Sequence, residues 1–199
     1  MWRRVNDGGI RSAIPPYASY LLIGISQPTR ATMASMPNSI EWPERYDPVR
    51  TPVHVRNEVD SSATSEAVWA WLVRASLWPS WYPNSKNVLI EGGAAAELAM
   101  GRSFTWRTFG VAIRSTVLEF EPPYRIAWNA FGMGVEAYHA WLITPTSTGS
   151  HILTEESQYG WGARLSHWVF PNRMSRFHQL WLDRLSAYAE NGPSADPRA

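Results

Sequence analysis

The chain has 199 residues, 45% of them hydrophobic, so it is long enough to bury one sizeable core but short for two domains. Its formal net charge of +1 gives no electrostatic indication of nucleic-acid binding or of attraction to an anionic membrane. The absence of cysteine excludes disulfides, thiolate metal sites and cysteine nucleophiles.

Residues 1–51 are predicted to form a mostly irregular N-terminal extension that contains several prolines and arginines. The prolines argue against a continuous helix or a central strand. The apolar run from Tyr17 to Ile25 is shorter than the about 20 residues that span a bilayer, so no stable membrane insertion is expected. Translation from Met33 or Met36 would make residues 1–32 a dispensable leader.

The pattern of the chain changes at Val53, where apolar and polar residues alternate through Val59 and predict a first strand. Residues 61–64 then offer N-cap oxygens, and Glu66 falls where a helix dipole favours an acid. A helix of about three turns is expected to follow. Residues 78–83 predict a second short helix or turn, and residues 87–90 a brief strand.

The stretch from Gly101 to Trp161 predicts an antiparallel meander, because apolar and polar residues alternate repeatedly along it. The alternation is clear in Phe104–Phe109, Ile113–Leu118 and His139–Ile143. Turn-forming residues separate these segments: Gly110, Pro122 with Pro123, Gly132 with Gly134, and residues 145–149.

The C-terminal region predicts a long helix that covers the sheet. Pro171 suits the first turn of a helix, and apolar residues then recur every three or four positions at Met174, Phe177, Trp181, Leu185 and Tyr188. A shorter helical segment from Leu165 to Val169 is expected before it, and residues 191–199 are predicted to be a disordered tail.

This order of elements resembles the helix-grip fold of the SRPBCC superfamily, which includes START lipid-transfer domains, birch-pollen-allergen-like proteins and bacterial polyketide cyclase/dehydrase-like proteins. The resemblance covers roughly residues 52–190 and is carried by Val59-Asp60, Val68-Trp69, residues 78–81, Gly101, residues 117–128 and Glu155-Glu156. It implies an α+β fold in which a curved antiparallel sheet of about seven strands wraps around a long C-terminal helix, with two short helices after the first strand. It also implies a deep cavity between the sheet and that helix, which holds an apolar small molecule.

Standard catalytic and cofactor signatures are missing from the chain. The sequence from Gly132 to Ala137 imitates a dinucleotide-binding glycine motif, but it joins two strands and does not lead into a helix. The five histidines show no ligand-pair spacing on one helix. The sequence therefore predicts neither a cofactor nor a metal site.

Strand parity selects two candidate catalytic residues in the meander. If Trp141 faces inward, His139 does so too, and an inward Ile152 on the next strand carries Glu156 with it. His139 and Glu156 would then be polar groups in an aromatic cavity, where burial shifts pKa values. A one-residue bulge would replace Glu156 by Glu155. A satisfied structural hydrogen bond is the commoner outcome for such a pair.

We expect a cytoplasmic protein that binds a hydrophobic small molecule, such as a lipid, polyketide or aromatic metabolite, and that binds no nucleic acid. The alternative is a cyclase or dehydratase of polyketide-like substrates, and a third possibility is an interaction module whose interior is filled by side chains. The oligomeric state is left open. The predicted cavity residues are Trp78, Trp81, Phe104, Trp106, Ser115, Val117, Trp128, His139, Trp141, Thr154, Glu156, Phe177 and Trp181.

Overall fold

A computed structural model of the protein describes residues 39–192. Most of the predicted N-terminal extension lies outside the described residues, including the alternative starts at Met33 and Met36. Residues 193–199 of the predicted tail also lie outside them. Asn191 ends the last helix, and Gly192 is its C-cap.

The fold is an α+β helix-grip fold, as the sequence predicts. One antiparallel sheet holds seven strands in the order β1-β7-β6-β5-β4-β3-β2, so that the last strand closes against the first. The strands are β1 (Val53–Ser61), β2 (Lys86–Ile90), β3 (Ser103–Thr108), β4 (Val111–Glu121), β5 (Arg125–Gly132), β6 (Val135–Thr146) and β7 (Gly149–Tyr159).

Two hairpins of the meander close with two-residue turns in which both residues have positive φ. Phe109 and Gly110 join β3 to β4 with φ of 52° and 83°, and Met133 and Gly134 join β5 to β6 with φ of 48° and 71°. Such turns match the right-handed twist of the flanking strands, and a glycine at the second position adopts positive φ without steric cost.

A bulge in β4 contributes to the curvature of the sheet. Val117 pairs with Trp128 and Glu119 pairs with Ala127, which leaves Leu118 between them without a partner on β5. An extra residue in one strand of a pair bends that strand and increases its local twist. The concave face that results is covered by the helices.

The two short helices after β1 are α1 (Ser65–Leu72) and α2 (Trp78–Trp81), and a 3-10 turn at Ala75–Leu77 leads into α2. Thr64 caps α1, because its side-chain oxygen accepts a hydrogen bond from the backbone N–H of Ala67 at 3.3 Å. With eight residues α1 has little more than two turns, so the predicted length of about three turns is wrong.

The C-terminal region forms α3 (Trp161–Val169) and α4 (Arg173–Asn191). Helix α3 begins at Trp161 and not at the predicted Leu165. Pro171 precedes α4 and does not lie in its first turn, because the backbone N–H of Arg173 bonds to the carbonyl of Phe170 and closes a turn before the helix. Helix α4 packs against β1 and α1 on the concave face. Among residues 39–192, no helix combines the length and apolar character that crossing a membrane requires.

Both faces of the sheet carry a core. The large inner cluster joins the concave face to α1, α2 and α4 and contains most of the buried tryptophans. The outer cluster contains Tyr46, Ala127, Tyr138 and Ala140, against which residues 40–42 also pack. Tyr138 and Ala140 thus face away from the cavity, as strand parity predicts, but they are covered. Residues 39–51 therefore include a segment that packs on the sheet, with Arg45 bonded to Glu136 at 2.6 Å.

Candidate functional site

A cavity of about 430 Å³ lies between the concave face of the sheet, α3 and the first turns of α4. Its walls are largely apolar and come from strands β3 to β6 and from α4. Representative wall residues are Trp106, Val111, Ile113, Trp128, Ala130 and Trp181. A cavity of this size and lining is typical of sites for small organic molecules, which occupy about 300–1,000 Å³.

The mouth of the cavity is formed by exposed apolar side chains. Met133, Trp161, Leu165 and Phe170 line the cavity and remain 66%, 67%, 52% and 54% exposed. Ala163 is the one residue of α3 that is fully buried. Helix α3 is therefore a cover over the cavity with a small buried face.

The start of α3 is fixed to the β5–β6 turn by contacts that require glycine. The backbone N–H of Gly162 donates to the carbonyl of Gly134 at 3.0 Å. A Cβ at Gly134 would lie 2.3 Å from Nε1 of Trp161, and a Cβ at Gly160 would lie 2.0 Å from the carbonyl oxygen of Gly134. The N-terminal end of the cover thus packs directly on the hairpin turn.

The floor of the cavity carries three buried polar residues from three elements: His139 on β6, Glu156 on β7 and His178 on α4. The sheet register pairs His139 with Glu156 directly. His139 Nδ1 lies 3.2 Å and His178 Nε2 lies 3.1 Å from the same oxygen, Oε2 of Glu156. The two imidazole rings stack, with centroids 4.8 Å apart. We call these three residues the polar triad.

Neighbouring polar groups complete the hydrogen bonds of the polar triad. Gln158 donates to Oε1 of Glu156 at 2.5 Å. Thr154 Oγ1 lies 2.8 Å from His139 Nε2 and 3.2 Å from the carbonyl oxygen of Ala140. Thr154 has a single hydroxyl proton, so it can donate a hydrogen bond to only one of these two acceptors. Donation to Nε2 places the ring proton of His139 on Nδ1, whereas donation to Ala140 places it on Nε2 and leaves a lone pair on Nδ1 toward Glu156.

Burial and neighbouring groups shift the pKa values of His139 and Glu156. Burial lowers the pKa of His139 to about 3, against the attraction of the Glu156 carboxylate and with the help of His178. Burial also raises the pKa of Glu156, but His139, His178 and Gln158 together outweigh it and lower that pKa to about 2. At neutral pH the floor therefore presents a carboxylate and a neutral His139 imidazole.

A tryptophan cluster surrounds the floor, made of Trp78, Trp106, Trp128, Trp141 and Trp181. Trp181 is central, and its ring centroid lies 4.9 to 6.3 Å from those of the other four. Trp78 donates to the carbonyl of Leu72 and Trp106 donates to Ser115 Oγ. The indole N–H groups of Trp128, Trp141 and Trp181 have no hydrogen-bond partner within residues 39–192.

The structure places five of the predicted cavity residues on the cavity wall: Trp106, Trp128, His139, Glu156 and Trp181. Seven others lie in the packed core around it and not on its wall: Trp78, Trp81, Phe104, Ser115, Val117, Trp141 and Thr154. Phe177 is not on the wall either, although its ring lies 5.4 Å from that of Phe109, which lines the cavity. His178, Tyr82 and several residues of α3 also line the cavity and were not predicted from the sequence.

The two adjacent glutamates of β7 face opposite sides of the sheet. The β6–β7 register is continuous, so no bulge exchanges them, and Glu156 is the one that faces the cavity. Glu155 lies on the outer side, where its carboxylate is 3.2 Å from His54 and 3.1 Å from Arg56. Of the two glutamates that the sequence left as alternatives, Glu156 lines the cavity and Glu155 does not.

Comparison with known families identifies the chain. A family model described as polyketide cyclase / dehydrase and lipid transport matches residues 52–190. The chain belongs to this family. The resemblance to the SRPBCC superfamily is thus confirmed over residues 52–190 of this polyketide cyclase/dehydrase family member. No curated protein matches the chain.

Solved structures are similar to the chain in fold. A hypothetical protein, jhp0584, from Helicobacter pylori is 34% identical, with a TM-score of 0.72 over 78% of this chain and 98% of that one. The di-domain aromatase/cyclase StfQ of the steffimycin biosynthetic pathway is 16% identical, with a TM-score of 0.58 over 69% of this chain and 51% of that one. The Zhui aromatase/cyclase from Streptomyces is 15% identical, with a TM-score of 0.57 over 69% and 93%. The last two similarities concern the fold alone.

Proposed function

We propose that this protein binds a hydrophobic small molecule, such as a lipid, a polyketide or an aromatic metabolite, in the cavity beneath α3. The observation that carries the proposal is a cavity of about 430 Å³ whose walls are apolar and whose floor is polar. An interior filled by side chains would have favoured an interaction module.

The distribution of polar groups defines the kind of ligand that fits. Burial of an apolar body against the tryptophan cluster contributes about 25 cal/mol for each Å² removed from water. The carboxylate of Glu156 accepts hydrogen bonds, so a hydroxyl or enol at the inner end of the ligand would be oriented by it. A ligand with an apolar body and one hydroxylated end is therefore expected. The aromatase/cyclase neighbours StfQ and Zhui support a polyketide-like aromatic compound as a member of this class.

The direct test is native mass spectrometry of the purified protein, followed by organic extraction and identification of the extracted compound. We expect a stoichiometric small molecule with an apolar body. A protein that copurifies with no such compound, and that binds no apolar fluorescent probe when titrated with one, would contradict the proposal.

A substitution in the wall of the cavity tests where the ligand binds. Ala130 on β5 is buried and lines the cavity, so Ala130→Leu adds three carbons to the cavity. Ala112 on the neighbouring strand is exposed, and Ala112→Leu is the matched control. We expect Ala130→Leu to weaken binding of the probe about 5- to 150-fold, which corresponds to an overpacking cost of about 1–3 kcal/mol in the complex. Equal affinities of the two variants would place the ligand elsewhere.

A second candidate function, a cyclase or dehydratase of a polyketide-like substrate, is favoured by the position of His139 and Glu156 on the cavity floor. Glu156 would take a proton from a carbon next to a carbonyl group, and this proton would pass through His139 to the hydroxyl group that leaves as water. The test is mass spectrometry of a poly-keto substrate analogue incubated with the protein, in which turnover appears as loss of water. Glu156→Gln should then bind the analogue without converting it. Equal conversion by Glu156→Gln would reject the catalytic role.

A further inference from the structure

The polar triad brings three metal-ligating residue types together in one enclosed site. The side chains of His139, His178 and Glu156 are 2%, 2% and 10% exposed. Within residues 39–192, the hydrogen-bond and ion-pair partners of the Glu156 carboxylate are His139, His178 and Gln158, with no lysine or arginine among them. Two imidazoles and a carboxylate are ligands that transition metals commonly take in proteins.

The geometry of the three side chains suits an ion. Two imidazole nitrogens converge on one carboxylate oxygen at 3.2 and 3.1 Å. Ligand bonds of about 2.0–2.2 Å to a tetrahedral metal place neighbouring ligand atoms about 3.3 Å apart. The candidate ligand atoms of all three residues already lie within 4.8 Å of one another.

Thr154 offers His139 the partner that a metal-bound histidine needs. Its Oγ1 lies 2.8 Å from His139 Nε2 and 3.2 Å from the carbonyl oxygen of Ala140. When the hydroxyl donates to Ala140, it accepts the Nε2–H of His139, and the lone pair of Nδ1 points toward Glu156. A metal-bound histidine almost always donates its other ring N–H to a fixed acceptor, which is the role Thr154 fills in that arrangement.

We infer that His139, His178 and Glu156 bind one divalent transition-metal ion, such as Zn²⁺, with an open coordination position toward the cavity. Two imidazoles and one carboxylate form a set of three ligands that, in zinc and iron sites, leaves room for a water or a substrate oxygen. All three residues line the cavity, so an oxygen at the inner end of a cavity ligand would reach the open position. The sequence predicts no metal site, because the two histidines lie on different elements. The inference does not depend on the identity of the organic ligand.

The inference is tested by removing metal from the full-length protein with a chelator and titrating it with Zn²⁺ in a calorimeter. We expect one ion per chain. Bound Co²⁺ should show visible absorption bands that report nitrogen and oxygen coordination. His178→Ala and Glu156→Gln should each weaken Zn²⁺ binding by at least about 100-fold, since removal of a ligand exceeds the 10- to 100-fold loss from removal of an outer hydrogen bond.

Two further variants keep the test decisive. His151→Ala removes a histidine that lies outside the cavity, with Nδ1 2.8 Å from Oδ1 of Asp60, and should leave Zn²⁺ affinity unchanged. Thr154→Val keeps all three ligands and should weaken affinity about 10- to 100-fold if Thr154 holds His139 in its metal-binding orientation. Circular dichroism verifies that each variant is folded. A folded wild-type protein that binds no Zn²⁺ overturns the inference, and so does Zn²⁺ binding that is unchanged in both His178→Ala and Glu156→Gln.

Discussion

Gly134 is the position at which one added methyl group can move the start of α3. A Cβ there would lie 2.3 Å from Nε1 and 2.4 Å from Cε2 of Trp161. Gly110 occupies the same second position of the other two-residue hairpin turn, with φ of 83° against 71° at Gly134. A Cβ at Gly110 meets nothing within 4 Å. The substitutions Gly134→Ala and Gly110→Ala therefore share the backbone strain and differ in the contact with Trp161.

The magnitudes separate the two variants. An alanine in the left-handed region costs about 1–2 kcal/mol, and we expect Gly110→Ala to lose that much free energy of unfolding. Gly134→Ala pays the same cost plus about 1–3 kcal/mol for displacing a large side chain, which gives a total loss of about 2–5 kcal/mol. Urea unfolding, extrapolated to water for wild type and both variants, measures the difference.

The same pair of variants tests α3 as the cover of the cavity. Trp161 lines the mouth, so its displacement in Gly134→Ala should speed dissociation of a bound apolar probe by at least about 5-fold, the equivalent of about 1 kcal/mol. Stopped-flow displacement measures this rate, and Gly110→Ala should match wild type. If the two variants lose equal stability and release the probe at equal rates, the contact of Gly134 with Trp161 does not position α3.

Three other predictions concern stability. Trp181→Ala should cost about 3–5 kcal/mol in urea unfolding, because Trp181 is 1% exposed, whereas Trp168→Ala, at a site 80% exposed, should stay within about 0.5 kcal/mol of wild type. Tyr46→Ala should cost about 3 kcal/mol in the same assay if residues 39–51 belong to the folded unit, and a change below 0.5 kcal/mol would contradict this. The hydrogen bond from the Ser62 backbone lowers the pKa of Glu190, so this group contributes stability above its unfolded pKa that is lost as pH falls through the lower folded value. The difference in unfolding free energy between wild type and Glu190→Gln should shrink from pH 7 to about pH 3, and a constant difference would refute the linkage.

Strand periodicity predicted the inner face of the sheet well, because side chains alternate strictly along each strand. It placed His139 and Glu156 on the same side, where the register pairs them. It could not separate residues on the cavity wall from residues packed beside it. Trp141 and Trp128 share a face, but Trp128 alone borders the cavity, because that depends on how α3 and α4 sit over the sheet.

His178 was not predicted, because apolar residues alone defined the buried face of α4. Its position carries a signal nonetheless, since it follows Met174 by four residues and precedes Trp181 by three, which is the spacing of a buried helical face.

The cover on the outer face of the sheet was also not predicted from the sequence. In β6, Tyr138, Ala140 and Leu142 alternate with inward apolar residues, and a strand that is apolar on both sides indicates cover on both faces. The residues that cover the outer face include Ile40, Trp42 and Tyr46. They lie in a proline-containing segment without a helical or strand period, so the sequence pattern did not indicate their packing.

The close spacing of the tryptophan cluster also makes the protein its own spectroscopic reporter. Five indoles with centroids mostly 4.9 to 6.4 Å apart are near enough for their electronic transitions to couple, with Trp181 at the centre. Coupled chromophores held in one fixed chiral arrangement give intense near-ultraviolet circular dichroism, which reports their mutual orientation. Trp128 and Trp181 also border the cavity, and the His139 ring lies 5.0 and 5.5 Å from theirs. An occupant of the cavity, or a change of charge on its floor, will therefore be visible in the spectrum of the unlabelled chain.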